Sequence, residues 1–288
     1  MIVHIKTILS KANKGGYALG AFNTSNLEVT LGIIRGAVKK KSPIIMQVST
    51  ATIQYAGLKN ITELIKLLAS TDGKDIPIAI HLDHGKDFEL VKDCIKAGFS
   101  SVHMDASDFP YEQNVAISKK AAVYAHKHGV FCQAELGAMI GKEGMTKVKV
   151  PKNPDEYMTN PEQVKDFVQR TGVDTLAVSV GTLHGRFEGR EKIDLARVKK
   201  IHQAIPGVPL VLHGASGSSA DDVRKAIKSG IRIVNIDTDI RIAFTKTLEA
   251  TLKTLPKNLY DPRKALGPSI ESVSQAIEGK ISILGSGK

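Results

Sequence analysis

Three histidines stand on short polar steps directly after runs of apolar, β-prone residues: His84 in PIAIHLDHG, His184 in TLAVSVGTLHG and His213 in PLVLHGASG. Neutral imidazoles from three separate strand ends can fill three tetrahedral positions around a zinc ion and leave the fourth for substrate. One histidine at a strand end is more often a hydrogen-bonded structural residue than a ligand. Three together, each followed by glycine, favour the metal. The other histidines read differently. His81 and His103 sit inside strand-like runs and are expected to be satisfied core residues. His4, His126, His128 and His202 belong to helical or terminal segments and read as surface, where a histidine at a helix C-terminus meets the dipole favourably.

Acids and small residues surround the three imidazoles. Asp83 precedes His84; it is a turn residue, a support for the imidazole, or an acid/base facing substrate, since adjacent residues at a strand end point differently. Asp105 and Glu135 end two further runs. They either accept bonds from metal-bound histidines or act as alternative metal ligands. Gly214-Ala215-Ser216-Gly217 follows His213, and Asn235-Ile236-Asp237-Thr238 closes the last run. Small residues let backbone N–H groups approach an anion, and a helix beginning near Ser218 adds favourable partial charge. These two loops are read as a phosphate cradle.

The elements that must position these groups are legible as a period that keeps changing. Near-continuous apolar runs cover Ala18–Asn23, Pro43–Thr50, Pro77–His81, Ser100–Asp105, Val130–Leu136, Asp174–Gly181, Pro209–His213 and Ile231–Asp237. Helical patterns lie between them, for example Asp87–Ala97, Glu162–Gly172, Asp194–Ala204 and Ala220–Ser229. Several start on Asp or Ser and stop at Gly, which is cap chemistry. Eight buried parallel-type strands alternating with helices predict an α/β fold, a single-domain (β/α)8 TIM barrel over residues 1–288. An open doubly wound sheet is the alternative, but no GxGxxG follows the first run. Barrel chemistry sits at the C-terminal strand ends. Here those ends carry Asn23, Ser49, Asp83-His84, Asp105 with Ser107, Glu135, His184, His213 and Asn235. The stretch 137–161 lacks a period and is long enough to be functional. It is expected to be a mobile lid, with Glu143 between Gly141 and Gly144. A C-terminal helical segment is expected at about 261–280.

Composition narrows the function. The formal charge of +11 invites a nucleic-acid partner, yet the lysines are scattered, only Lys39-Lys40-Lys41 forms a run, and the aromatic content of 5% without tryptophan supplies no stacking platform. A small anionic substrate suits the charge equally well. No run approaches a membrane span and the N-terminus lacks a signal-peptide core, so no membrane association and a cytoplasmic location are expected. Cys94 and Cys132 lack CxxC spacing and read as free buried thiols. None of the eight runs contains a lysine, which disfavours Schiff-base chemistry in the barrel.

The motifs LDHG, HMDAS, QAELG, VGTLHG, HGASG and NIDT, in this order, resemble those of the class II (zinc-dependent) fructose-bisphosphate aldolases, including their tagatose-bisphosphate relatives. The resemblance runs from AFNTSN to DPRKALGP. It implies reversible cleavage of fructose 1,6-bisphosphate to dihydroxyacetone phosphate and glyceraldehyde 3-phosphate. Zn2+ would be held by His84, His184 and His213, with Asp105 and Glu135 near an alternative metal position. Asp83 would act as the acid/base and Glu143 as the lid base. Gly185, Gly214, Ala215, Ser216, Asn235, Ile236, Asp237 and Thr238 would bind dihydroxyacetone phosphate. A monovalent cation is a candidate beside that phosphate. Ser49 would meet the glyceraldehyde-phosphate half, and Asn23, at the neighbouring strand end, is a further substrate-binding candidate. Arg263 would reach a phosphate, across a dimer if the protein is a homodimer or homotetramer. A tagatose-bisphosphate aldolase, and more distantly a metal-dependent hydrolase on the same barrel, are the competing readings.

Overall fold

The eight apolar runs become eight parallel strands because residues buried on both faces leave no polar side to exploit. The computed structural model describes residues 1–138, 153, 156–183 and 192–287. The expectations for Glu143, His184 and Gly185, and for most of the lid, fall outside these described residues. Helix α1 (Ile5–Gly15) precedes β1 (Leu19–Asn23), α2 (Leu27–Lys39), β2 (Ile44–Ser49), α3 (Thr50–Ala56) and α4 (Leu58–Ser70). Next come β3 (Ile78–Gly85), α5 (Phe88–Lys96), β4 (Ser101–Met104), α6 (Tyr111–Lys127) and β5 (Phe131–Leu136). The chain continues through α7 (Pro161–Thr171), β6 (Thr175–Val178), α8 (Leu195–Ala204), β7 (Leu210–Leu212), α9 (Ala220–Lys228) and β8 (Ile231–Ile236). It ends in α10 (Thr238–Thr254) and α11 (Pro262–Leu284). The strands pair in chain order and β8 closes on β1, a (β/α)8 barrel.

Local chemistry sets the helix limits. Asn26 caps α2 by accepting from the Val29 N–H at 2.9 Å, and Ser219 caps α9 by accepting from Asp222 at 3.1 Å. Such caps satisfy backbone donors that the first turn leaves open. The strand β3 extends past its expected end at His81, so Asp83 and His84 lie on the strand itself. The C-terminal helix reaches Leu284, because its apolar positions Ile277, Ile281 and Leu284 are buried to the last turn.

Inside the barrel, side chains two apart share one face, and they sort by height. Leu19, Ala21, Ile45, Ala79, Ala177, Val211 and Ile233 form an apolar floor, plugged from below by Ile5, Ile8, Leu9 and Ala12 of α1. One pleat higher the same inward rows turn polar: Asn23, Gln47, His81, His103, Gln133 and His213, with Ser49, Asp83, Asp105 and Glu135 at the top, all buried. Buried polar groups are costly unless partnered. The wall of the core is therefore also the floor of a site.

Candidate active site and metal centre

Alternation along β3 turns His81 and Asp83 inward and would turn His84 out. His84 instead adopts φ 47°, in the left-handed region, and the pairing with β4 shifts between Leu82 and Gly85. That bulge keeps the His84 ring at the barrel mouth beside Asp83. A non-glycine residue in this conformation costs about 1–2 kcal/mol. Strain of this kind persists where the surroundings over-determine it, commonly at functional sites. Here the surroundings include Gly85, where an added Cβ would stand 2.7 Å from the His103 carbonyl oxygen, and Thr50, whose hydroxyl donates to the His84 carbonyl at 3.1 Å.

The imidazoles of His84 and His213 meet face to edge. His84 Nδ1 donates to Asp105 Oδ2 at 2.7 Å, which fixes the tautomer and turns Nε2 toward the site. That Nε2 lies 3.0 Å from His213 Nδ1, with the ring centroids 4.7 Å apart. His213 is held by the Thr182 hydroxyl, which donates to its carbonyl at 2.6 Å. Glu135 Oε2 lies 3.9 Å from His213 Nδ1 and 3.9 Å from His103 Nε2. Asp83 accepts from Asn23 Nδ2 at 2.8 Å and from Gln47 Nε2 and Asn235 Nδ2 at 3.3 Å each.

The electrostatics ask for a cation. Burial pushes the Asp83 carboxyl above its ordinary range, against the pull of His84 and Asn23. Burial works to lower His84, but Asp83, the hydrogen bond to Asp105 and the charge of Glu135 outweigh it and raise the imidazolium to about 10. Asp105, despite its burial, is held far below the usual carboxylate range by its hydrogen bond to His84, the charge of His84 and the Lys86 ammonium. Burial takes His81 down to about 3 and His103 well below the usual histidine range, so both are neutral imidazoles. A protonated His84 amid three carboxylates marks a place where positive charge is strongly favoured.

A metal ion fits that place. Two overlapping sets, Asp83/His84/His103/His213 and His84/His103/Asp105/Glu135, each bring their ligand atoms within 4.8 Å of one another. Tetrahedral zinc with ligands at about 2.0–2.1 Å needs donor–donor separations of roughly 3.3 Å. The separations of 3.0 and 3.9 Å bracket that value. The donors are imidazole nitrogens and carboxylate oxygens, a set suited to zinc and other first-row divalent ions.

The remaining expected residues divide. Gly214 has φ 65°, and a Cβ there would come within 2.3 Å of the Leu183 carbonyl oxygen, so only glycine allows this turn. Ala215–Gly217 forms a single 3-10 turn ahead of α9. Asn235 joins Asp83 to His213, donating at 3.3 Å to the one and lying 3.1 Å from the other. Ile236 ends β8; Asp237 pairs with Arg241 at 2.7 Å, and Thr238 opens α10. Asn23 and Asp237 border a cavity of about 350 Å³ that is also lined by Ser25, Thr52 and Arg241. Ser49 caps α3, accepting from the Thr52 N–H at 3.3 Å. Arg263 is not drawn in: its side chain is 89% exposed and its guanidinium is bound to Asp261.

Three residues escaped the sequence reading. His103, expected to be a satisfied core residue, is fully buried with no hydrogen-bond partner for either ring nitrogen among the described residues, so that expectation is corrected. Its spacing of two from Asp105 was the available signal. Gln133, two before Glu135, carries the same signal and lies 3.4 Å from His213 Nε2. Lys86 Nζ reaches Asp105 at 2.8 Å and Asp108 at 2.7 Å, a contact that no periodicity announces.

Comparison with known proteins meets this geometry. The family model described as fructose-bisphosphate aldolase class-II matches residues 3–288. The chain belongs to that family. Fructose-bisphosphate aldolase of Geobacillus stearothermophilus is 39% identical over 286 residues, covering 99% of this chain and 97% of its own. That of Thermus caldophilus is 38% identical over 309 residues, with 99% of each covered. Among solved structures, the YdjI aldolase of Escherichia coli K12 superposes with a TM-score of 0.86 at 29% identity, over 100% of this chain and 98% of its own. A putative fructose-1,6-biphosphate aldolase from Coccidioides immitis gives 0.85 at 27%, over 99% and 96%. Class-II aldolases are metal-dependent, and the cluster at His84 and His213 is where the described residues of this one could hold the ion. No helix among the described residues is long and apolar enough to cross a membrane.

Proposed function

We propose that this chain is a zinc-dependent aldolase that reversibly cleaves fructose 1,6-bisphosphate into dihydroxyacetone phosphate and glyceraldehyde 3-phosphate. One observation carries the reading. A buried carboxylate, Asp83, with its pKa raised by burial, adjoins two facing imidazoles whose ligand atoms sit at metal-binding separations. His84 and His213 would hold the ion, with His184 as third ligand on the strength of its motif. When bound, the ion supplies Lewis-acid stabilisation of the charge that develops on a ketone oxygen as a carbon–carbon bond breaks.

The protein's own groups do the rest. Asp83 takes the proton from the hydroxyl beside the breaking bond; that O–H pair becomes the new carbonyl, and the carbon–carbon pair passes to the dihydroxyacetone-phosphate carbon. Glu143 returns a proton to that carbon. Asn23, Gln47 and Asn235 hold Asp83 in register by donating to both its oxygens, and a general acid/base so placed contributes about 10²–10⁴-fold. The Gly214–Ser216 and Asn235–Thr238 loops take the phosphate on backbone N–H groups at the starts of α9 and α10. In a homodimer or homotetramer, Arg263 would have a neighbouring site to reach, which light scattering tests.

The deciding experiment is cleavage of fructose and tagatose bisphosphates before and after chelation, with zinc added back. Metal-dependent cleavage of the fructose substrate supports the reading. Preference for tagatose bisphosphate moves the substrate within the family, and full activity in a metal-free sample removes the mechanism.

A further inference from the structure

We propose that His103 is itself a metal ligand, holding a divalent cation at a second position beside the Asp83–His213 pair, with His84, Asp105 and Glu135 as the other donors. The proposal rests on the reading that this cluster binds a divalent ion and goes beyond it in assigning an imidazole that the strand-end pattern does not include.

The first argument is the state of the side chain. His103 is 0% exposed, and neither ring nitrogen has a hydrogen-bond partner among the described residues. By contrast His81, on the adjacent strand β3, engages the Ser101 hydroxyl at 2.8 Å. Buried polar atoms are nearly always satisfied, and one that is not calls for a ligand, a water or an ion. Leucine or methionine would fill the same inward position without that cost.

The second argument is position. The His103 ring lies 4.9 Å from that of His84 and 5.6 Å from that of His213, centroid to centroid. Its Nε2 is 3.9 Å from Glu135 Oε2, and the ligand atoms of His84, His103, Asp105 and Glu135 all fall within 4.8 Å. Two imidazoles and two carboxylates make a complete four-donor set that neutralises a divalent charge. Lys86 shares Asp105 Oδ2, but its ammonium is half exposed and also held by Asp108, so it can release Asp105 without losing an ion pair. Because His84 belongs to both sets, the two positions are alternatives for one ion.

The test uses the full-length chain stripped with a chelator and titrated with Co2+. In His103→Leu the metal-free protein should melt higher than the metal-free wild type, because an uncompensated imidazole is gone. The rise in melting temperature on adding Co2+ should shrink, and Co2+ affinity should fall by at least about 10–100-fold, the loss seen even for outer-shell partners of a metal site. In His103→Cys, Co2+ should produce a thiolate-to-metal charge-transfer band in the near ultraviolet that the wild type, with Cys94 and Cys132 buried elsewhere, lacks. Cobalt binding by His103→Cys without that band, or unchanged affinity and melting shift in His103→Leu, overturns the assignment. If the wild type binds no cobalt, the metal reading of the whole site fails instead.

Discussion

Replacing Asp83 by asparagine should separate catalysis from stability at one atom. The side chain is 1% exposed and accepts from three amides, Asn23 on Oδ2 at 2.8 Å and Gln47 and Asn235 on Oδ1 at 3.3 Å. Asparagine keeps the shape but offers one acceptor oxygen. Turned to keep Gln47 and Asn235, it sets its NH2 against the Asn23 amide nitrogen. Asn23 Oδ1 has no hydrogen-bond partner among the described residues, so that amide can rotate and accept the new N–H. Three charge-assisted bonds then become neutral ones, each weaker by about 1 kcal/mol. Against this, a carboxylate whose ionised form burial already penalises is replaced by a neutral group. The two effects are of similar size, so the net change in unfolding free energy should stay within about 1–2 kcal/mol. Turnover should fall by about 10²–10⁴, since no proton acceptor remains. Three measurements decide: coupled cleavage of fructose 1,6-bisphosphate, metal content per chain, and urea unfolding. Loss of the metal would make Asp83 a ligand or its support. Turnover within tenfold of wild type would remove it from proton transfer altogether.

Glu143→Ala should slow solvent exchange of the dihydroxyacetone-phosphate carbon-bound proton while binding of that ligand changes little; wild-type exchange would leave the lid without a base and make Glu135 the next candidate. Gly214→Ala should destabilise by more than the roughly 1–2 kcal/mol of a left-handed alanine, because its Cβ would meet the Leu183 carbonyl at 2.3 Å. It should also raise KM for the phosphorylated substrate, and an unchanged KM would detach this turn from phosphate binding. Burial raises the Cys94 thiol to about 12 and Cys132 higher still, so neither should react with a thiol reagent in the native state between pH 7 and 9, and both should on unfolding. The sign for stability follows: above the ordinary thiol value of 9.0 the folded state keeps protons the unfolded state loses, so this contribution to stability declines from about pH 9 to about 12.

The barrel was legible because each of its rules is local. Apolar runs bounded by glycines and capped helices give strands and crossovers, and strand ends in a barrel point to one face. The placement of Asp83, His84, Asp105, Glu135, His213 and Asn235 at strand ends, where the structure brings them together, followed from that alone. What escaped was the third coordinate, depth along the barrel axis. Parity places Ala79, His81 and Asp83 on one inward row, yet nothing in the row says that Ala79 joins the floor while His81 lies above it. That boundary is drawn by α1, which plugs the bottom, and by the stagger between neighbouring strands. His103 was therefore counted with the core, although the stagger sets it opposite Gln133 at the height where the interior turns polar. The direction of His84 escaped for a related reason. Its left-handed backbone is imposed by the approach of β4 through Gly85, a contact between strands, and no single run contains it. Arg263 stands exposed and paired with Asp261, an arrangement that no periodicity announces. The H-x-D pairs of β3 and β4 and the Q-x-E of β5 show how the missing coordinate could have been approached. Three adjacent strands each carry two polar residues at spacing two, and an apolar floor cannot absorb three such pairs side by side. Their adjacency requires a polar layer at least two pleats deep, and an imidazole in its lower row becomes a ligand to be tested rather than a core residue to be set aside.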